Sequence, residues 1–412
     1  VAGTERTFQR PLKVMIVAPP WVPVPPPAYG GTEAVVDGLA RALQAASVEV
    51  VLYTTGESTC PVPRAWTLAE AAGVGVGGSV VELRHVIGAY EHALELGVDI
   101  VHDHTVAGPV WARALPKAPV VVTTNHGPFV GDLFDYYRSI APLVPVVAIS
   151  RHQASTAGPI PIAAVIHHGV DLEAYKPGKG DGGYALFLGR MSPDKGVARA
   201  AALARRAGIP LKIAAKMREP HEREYFENEV RPLLGGGVDY VGEVGGRDKV
   251  ELLQGARCLL NPIAWPEPFG MVMIEALACG TPVVATPEGS APEIVVDSRT
   301  GFLAADDDAL VQAMGAAGML DRAECRRHAE AHFSLERMAA DHLRLYRHLV
   351  AELVGARNPD RACSADASGE RSALLSRLGP FTPDEDRDRS GLGERGRNGD
   401  EGDLATSTQA TP

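Results

Sequence analysis

The chain has 412 residues, of which 45% are hydrophobic and 22% charged, with a formal net charge of −11. That length provides for two or three domains with real cores, and the acidic balance argues against a nucleic-acid partner. Five cysteines, at 60, 258, 279, 325 and 363, form no CxxC pair, which disfavours a disulfide framework or zinc ribbon and points to a reducing cytoplasmic setting.

The opening residues Val1–Arg10 are too polar for a signal-peptide core. Apolar runs such as Leu143–Ser150 fall far short of the ~20 residues that cross a bilayer. Lys13–Ala18 predicts a buried strand. Thr32–Ala46 carries Val35, Val36, Leu39, Ala42 and Leu43 on one helix face. Val48–Tyr53, Ile100–His102, Val120–Thr123 and Val146–Ile149 predict further strands, separated by helix-length stretches. Strands without polar alternation predict a parallel sheet covered on both faces.

The stretch Asp171–Gly183, rich in Gly, Pro and Lys, predicts a linker after a first domain over 1–170. A second set of strands follows at Tyr184–Gly189, Leu211–Ala215, Val238–Val241, Cys258–Leu260 and Pro282–Ala285. Helices are expected near 196–206, 221–234, 246–255 and 271–279, giving a second domain over 184–333. Residues 322–352 read as helical, and 334–352 is expected to pack back toward the first domain. The composition of 355–412, poor in large apolar residues, predicts a disordered tail. Two doubly wound α/β domains place a ligand cleft at the carboxyl ends of both sheets.

The strongest constellation is Gly189-Arg-Met-Ser-Pro-Asp-Lys-Gly196, which follows a strand and opens a helix. Arg190 can fork onto phosphate oxygens, and Lys195 adds a point charge near a helix N-terminus that itself favours anions. Trp265-Pro-Glu-Pro-Phe-Gly-Met-Val-Met-Ile-Glu-Ala276 then sets Glu267 and Glu275 across a loop-to-helix junction. Pro268 and Gly270 turn the backbone so that the N–H groups of Phe269–Val272 face the cleft. Glu275 suits a ribose diol and Glu267 a sugar hydroxyl.

These segments, with Gly30-Gly-Thr-Glu33, Ala276–Ala285 and Gly289-Ser-x-x-Glu293, resemble the retaining glycosyltransferases of family 4, built on the GT-B fold. The resemblance spans residues 12–350. Within the family, His102-Asp-His104 and Gly242-Glu-Val-Gly245 are similar to sugar transferases of antibiotic pathways. The resemblance implies that Arg190 and Lys195 hold the diphosphate of a nucleotide-sugar donor and Glu275 the ribose. Glu267 and the backbone of Phe269, Gly270 and Met271, with Val272 beside them, take the transferred sugar. Gly30 and Gly31 approach the diphosphate from the first domain, where a side chain would obstruct. His126, in Thr123-Thr-Asn-His-Gly127, lies near the reacting face of the sugar. Front-face transfer with retention follows, with Glu267, Arg190, Lys195 and His126 as the catalytic set, no cofactor and no metal. Charge stabilisation and positioning are then the protein's share.

Other signals carry less. The DxD matches at Asp306–Asp308, Asp384–Asp386 and Asp386–Asp388 are read as a helix N-terminus and tail acids. His328 and His332 are read as a solvated helix face. Asp103 and His104, at a strand end, are candidate acceptor contacts. His168 and Asn125 are given no role. The Pro-rich loop Trp21–Tyr29 is read as a stiff acceptor-side wall. Residues 1–170 carry ten Lys or Arg against thirteen Asp or Glu, without the basic amphipathic helix of a membrane-docked enzyme, so a soluble acceptor is expected. The alternatives are a catalytically silent GT-B regulatory subunit and a nucleotide-sugar 2-epimerase. Uridine is the favoured base from family frequency, with guanosine possible.

Overall fold

A computed structural model describes residues 10–73, 78–115 and 118–355. The expected tail, apart from Gly355, and Cys363 lie outside these residues. The first sheet holds seven parallel strands: β1 (Lys13–Val17), β2 (Glu49–Tyr53), β3 (Arg64–Ala65), β4 (Ile100–Asp103), β5 (Val120–Thr124), β6 (Val146–Ala148) and β7 (Ile162–Val165), in the order β3-β2-β1-β4-β5-β6-β7. The central strands are buried on both faces, which is why they read as unbroken apolar runs. Ile16 stands opposite Leu52 on one side and His102 on the other.

The second sheet has six parallel strands: β8 (Ala185–Arg190), β9 (Leu211–Lys216), β10 (Val238–Gly242), β11 (Cys258–Asn261), β12 (Val283–Ala285) and β13 (Gly301–Leu303), in the order β10-β9-β8-β11-β12-β13. In both sheets the order reverses beside the first strand, so a crevice opens at the carboxyl ends of β1 and β8. This is a GT-B architecture.

Two chain crossings join the domains side by side. The Val170 N–H donates to the Phe333 carbonyl at 2.8 Å, and the expected single helix over 322–352 is broken there into Arg322–His332 and Leu335–Gly355. Phe333 is buried at the break. The second of these helices lies on the first sheet, where Leu335, Met338, Leu343, Tyr346 and Leu349 share a core with Val14, Ile16, Val36 and Leu39. Gly38 allows the approach, since a Cβ there would stand 2.6 Å from Leu335. Linker residues beyond Tyr175 are not free chain. The N–H groups of Gly178, Gly180 and Gly182 donate to Cys279, Gln254 and Gly255 carbonyls at 2.9–3.0 Å, which fixes that segment to the second domain.

Among the described residues, Cys60, Cys258, Cys279 and Cys325 are buried and free, and no helix is long and apolar enough to cross a membrane.

Candidate active site

A cleft of about 1450 Å³ separates the two domains. Its walls bring together Gly30, Gly31 and His126 from the first domain with Arg190, Lys195, Glu267, Phe269, Gly270, Met271, Val272 and Glu275 from the second. Segments far apart in the chain meet because each follows the carboxyl end of a central strand. Lys195 closes the turn after β8, and Gly196 beyond it has φ 75°, with no room for a Cβ beside the Pro262 carbonyl 2.4 Å away.

Lys195 is buried, its ammonium ion-paired with Glu267 and 5.1 Å from the centre of the Trp265 ring. Arg190 makes a long contact of 3.3 Å to Asp194 and is half exposed, so its guanidinium is available to an incoming anion. It also hydrogen-bonds Tyr29, whose hydroxyl burial pushes up to about 12. Gly270, at φ 91°, starts the helix Met271–Ala278, and the first-turn amides of Met271 and Val272 open on the cleft wall.

Glu275 Oε1 accepts from Lys249 Nζ at 2.7 Å and from the Tyr175 hydroxyl at 2.9 Å. Sequence reading missed both partners, because neither Lys249 nor Tyr175 lies in a motif. It also missed the scaffold under Glu267. Gly289 has φ 59° and would place a Cβ 2.2 Å from the Glu267 carbonyl, while the Ser290 N–H donates to that carbonyl at 3.0 Å and its hydroxyl to the Phe269 carbonyl. Glu293, three residues on, accepts from the Arg151 and His152 N–H groups at 2.8 and 2.6 Å and from His167 Nε2 at 2.8 Å, tying the two domains together. Burial opposes its ionisation, yet these donors hold its carboxyl below the ordinary range.

The histidines are organised differently from expectation. His102 is fully buried between the Tyr346 hydroxyl (2.6 Å) and the Thr124 hydroxyl (2.7 Å). Asp103 turns into the first domain, accepting from Tyr90 at 2.8 Å and from the Thr105 N–H and hydroxyl at 2.8 and 2.7 Å. It does not line the cleft, and burial raises its carboxyl to about 6. His104 also stays behind the wall, with Nδ1 2.8 Å from His126 Nε2. His126 stacks on His168 at 5.3 Å, and His168 meets Phe269 edge-on at 5.0 Å. His168 is thus a cleft residue that the sequence left without a role. Burial holds His126 down to about 4, and His104 and His168 well below the usual range, so all three rings are neutral at pH 7. Asn125 shapes the turn before His126, its Oδ1 accepting from the Gly127 N–H at 2.9 Å.

The Pro-rich loop leans on the second domain. The Tyr29 N–H donates to Glu243 at 3.1 Å, and Gly245 packs so closely on Pro27 and Ala28 that a Cβ would fall 2.5 Å from the Pro27 carbonyl. Asp306 caps the helix Asp307–Ala317, Asp307 pairs with Arg199, and Asp308 pairs with Arg206. His328 is half-buried and 3.0 Å from the Ile294 carbonyl, while His332, one turn on, is exposed, so the solvated face expected there holds for His332 and not for His328. Among the described residues no three His, Cys, Asp or Glu side chains are grouped to hold a metal.

Two parallel α/β domains facing a cleft, with motif residues from both on its walls, define the class as GT-B. Family models match on both sides of the cleft: Glycosyltransferase Family 4 over residues 29–174 and Glycosyl transferases group 1 over 182–317. The chain belongs to the GT-B glycosyltransferases of family 4. It is similar to the crystal structure of AviGT4, a glycosyltransferase involved in avilamycin A biosynthesis, at 29% identity and TM-score 0.63, covering 83% of this chain and 98% of that one. It is 26% identical to the phosphatidyl-myo-inositol mannosyltransferase of Mycolicibacterium smegmatis over 72% of this chain and 83% of the relative. A D-inositol 3-phosphate glycosyltransferase of Mycobacterium avium is 31% identical over 47% of each. The alpha-maltose-1-phosphate synthase of Mycolicibacterium smegmatis is 37% identical, but the match covers only 32% of its length. The chain thus spans between a third and a half of the length of several curated relatives.

Proposed function

We propose that the protein transfers a hexose from a nucleoside diphosphate sugar, with UDP favoured over GDP, to a soluble small-molecule acceptor, with retention and without a metal. The observation that carries this reading is the convergence of Arg190, Lys195, Glu267 and Glu275 with the Gly30–Gly31 loop on one cleft. Arg190 and Lys195 stabilise the charge that grows on the departing diphosphate. Glu275 takes the ribose hydroxyls, its Oε1 already anchored by Lys249 and Tyr175. Glu267 and the amides of the Phe269–Val272 turn hold the sugar, and His126 faces it as a neutral imidazole. A Cβ at Gly31 would meet no protein atom within 4 Å, so glycine there leaves space for the diphosphate. The departing phosphate oxygen helps deprotonate the acceptor hydroxyl on the same face of the sugar, and no protein base is required.

The reading is tested by a metal-free thermal-shift series with UDP, GDP, ADP and TDP on wild type and Lys195→Ala. A ligand at 100 times its dissociation constant stabilises by about 2.7 kcal/mol. A shift with one nucleotide that is lost in the variant, followed by transfer from that nucleotide's sugar unaffected by EDTA, is the expected result. Absence of any shift, or inversion at the anomeric carbon of the product, counts against it.

A further inference from the structure

The two walls of the cleft differ in net charge, the second-domain wall having an excess of cations and the first-domain wall an excess of carboxylates. The wall of the second domain presents six cations, Arg190, Lys195, Lys216, Arg218, Arg247 and Lys249, against four glutamates, Glu219, Glu243, Glu267 and Glu275. Of this cationic excess, Arg190 and Arg247 lie outside the ion pairs to Glu243, Glu267 and Glu275. Among the described residues, the charged groups on the first-domain wall are Glu33, Asp37, Arg41, Glu57 and Asp171. The guanidinium on that wall is already engaged. Arg41 Nε donates to Asp37 at 2.8 Å and its Nη1 to Asp171 at 3.0 Å. Glu57 accepts the Ala71 N–H at 2.6 Å.

Glu33 stands apart from these. It lies on the cleft wall, is 7% exposed, and among the described residues pairs with no other side chain. Its Oε2 rests against the glycine loop, 3.0 Å from where a Cβ on Gly30 would stand. Its one hydrogen bond is to its own N–H, and burial pushes its carboxyl up to about 7. A glutamate in a first helical turn serves the helix dipole when exposed. That role does not account for a carboxylate sunk into the wall of a binding cleft without a counter-ion, a placement that costs free energy until a partner arrives. A hydroxyl offers the carboxylate a neutral hydrogen bond, an ammonium a stronger charge-assisted one, and a phosphate adds repulsion.

Resting on the transferase reading of the cleft, we infer that the acceptor carries a basic amine, which Glu33 holds through a charge-assisted hydrogen bond on the first-domain wall. Asp37 and Asp171 share the single Arg41 guanidinium, so with Glu57 the first-domain wall keeps an excess of carboxylates that disfavours an acidic acceptor. The donor's diphosphate, in turn, is directed to the opposite, cationic wall. This separates the chain from relatives named for a phosphorylated inositol or a phosphatidyl lipid.

The test uses the full chain, the donor sugar of whichever nucleotide gives the thermal shift, and an equimolar pool of acceptors. The pool holds amino sugars and aminocyclitols, their N-acetylated counterparts and their phosphate esters, and products are read by mass. Wild type is expected to favour the free amine over its N-acetylated counterpart by about tenfold or more. Glu33→Gln removes that preference while keeping the nucleotide shift, and Glu33→Asp, which retains the charge, keeps part of it. Equal yields, a preference for acetylated or phosphorylated members, a preference unchanged in Glu33→Gln, or no product from any amine while the nucleotide shift is intact would each overturn the inference. A wild-type protein that shows no nucleotide shift overturns the transferase reading itself, and this inference with it.

Discussion

Lys195 and Glu267 hold one another in a largely buried ion pair, and this changes what single substitutions at either position report. Lys195→Ala is expected to lower turnover by ~10²–10³, the cost of losing one charge-stabilising donor. It also strands the Glu267 carboxylate, so a drop in stability of up to about 3 kcal/mol accompanies it. The double variant Lys195→Ala with Glu267→Gln separates the two effects. Its melting temperature is expected to recover while turnover does not, as single-turnover kinetics and calorimetry on the same samples would show. Near-wild-type turnover in either variant removes Lys195 from the donor site. At His126 the partner ring is what matters. With Nε2 engaged by His104, only Nδ1 is left for a ligand. His104→Phe keeps the packing but frees the His126 ring, and about a tenfold loss in kcat/KM with an unchanged nucleotide shift is expected. A variant as active as wild type would make the His104 contact structural only.

At the scale of elements, the Glu267 loop is held from behind by a second loop that contains no substrate-binding group. Gly289 fits only because it lacks a Cβ, both for its φ of 59° and for the 2.2 Å it leaves to the Glu267 carbonyl. Gly289→Ala therefore displaces the Glu267 loop and adds strain of about 1–3 kcal/mol. Turnover is expected to fall by about tenfold or more while circular dichroism stays native, and an unchanged rate would show that the loop adapts. The motif Gly289-Ser-x-x-Glu293 thus combines two duties within five residues. Its glycine and serine shape the sugar side of the cleft, and its glutamate joins the second domain to the backbone at Arg151 and His152.

Over the whole molecule, the helix Leu335–Gly355 completes the core of the first domain although it follows the second in the chain. Leu349→Ala should therefore destabilise the first domain by ~2–5 kcal/mol, visible in a melt, even though Leu349 is remote from the cleft. Stability also depends on pH through the buried histidines. His85, His126 and His342 are held down to about 4, and His102, His104 and His168 lie well below the ordinary value. A depressed folded value means that the unfolded chain binds more protons. Their contribution is full above about pH 6.5 and is lost as pH falls from 6.5 toward 4, by up to about 1.4 kcal/mol per pH unit for each group. Glu33 and Asp103, raised to about 7 and 6, work in the opposite sense over the same range, but the histidines outnumber them. Denaturant midpoints measured from pH 7.5 to 4.5 should fall, and a flat profile would contradict the burial of this cluster.

Much of this architecture was legible in the residues themselves. Parallel strands buried on both faces leave continuous apolar runs, so β1, β5, β8 and β11 announce themselves. Short edge strands such as β3 and β13 carry too few residues for a pattern and were not anticipated. Gly-Arg-x-Ser-x-x-Lys and Glu-x7-Glu were readable because their chemistry is local: a cation at a helix start and a carboxylate one turn into a helix act over a few residues. The pairing of Lys195 with Glu267, the two partners of Glu275, the return of the last helix to the first sheet and the stacking of His168 on His126 join residues from different elements. No local spacing encodes such contacts. The same holds for Asp103 and His104, which share a strand end with cleft residues yet turn inward, because the side-chain direction there depends on Tyr90, Thr105 and His126. The sequence by itself determined the two sheets, the cleft between them and the groups suited to an anionic donor. Only the tertiary structure decided which carboxylates are paired and which, as at Glu33, remain without a partner, since burial and counter-ions come from neighbours that the chain order does not reveal.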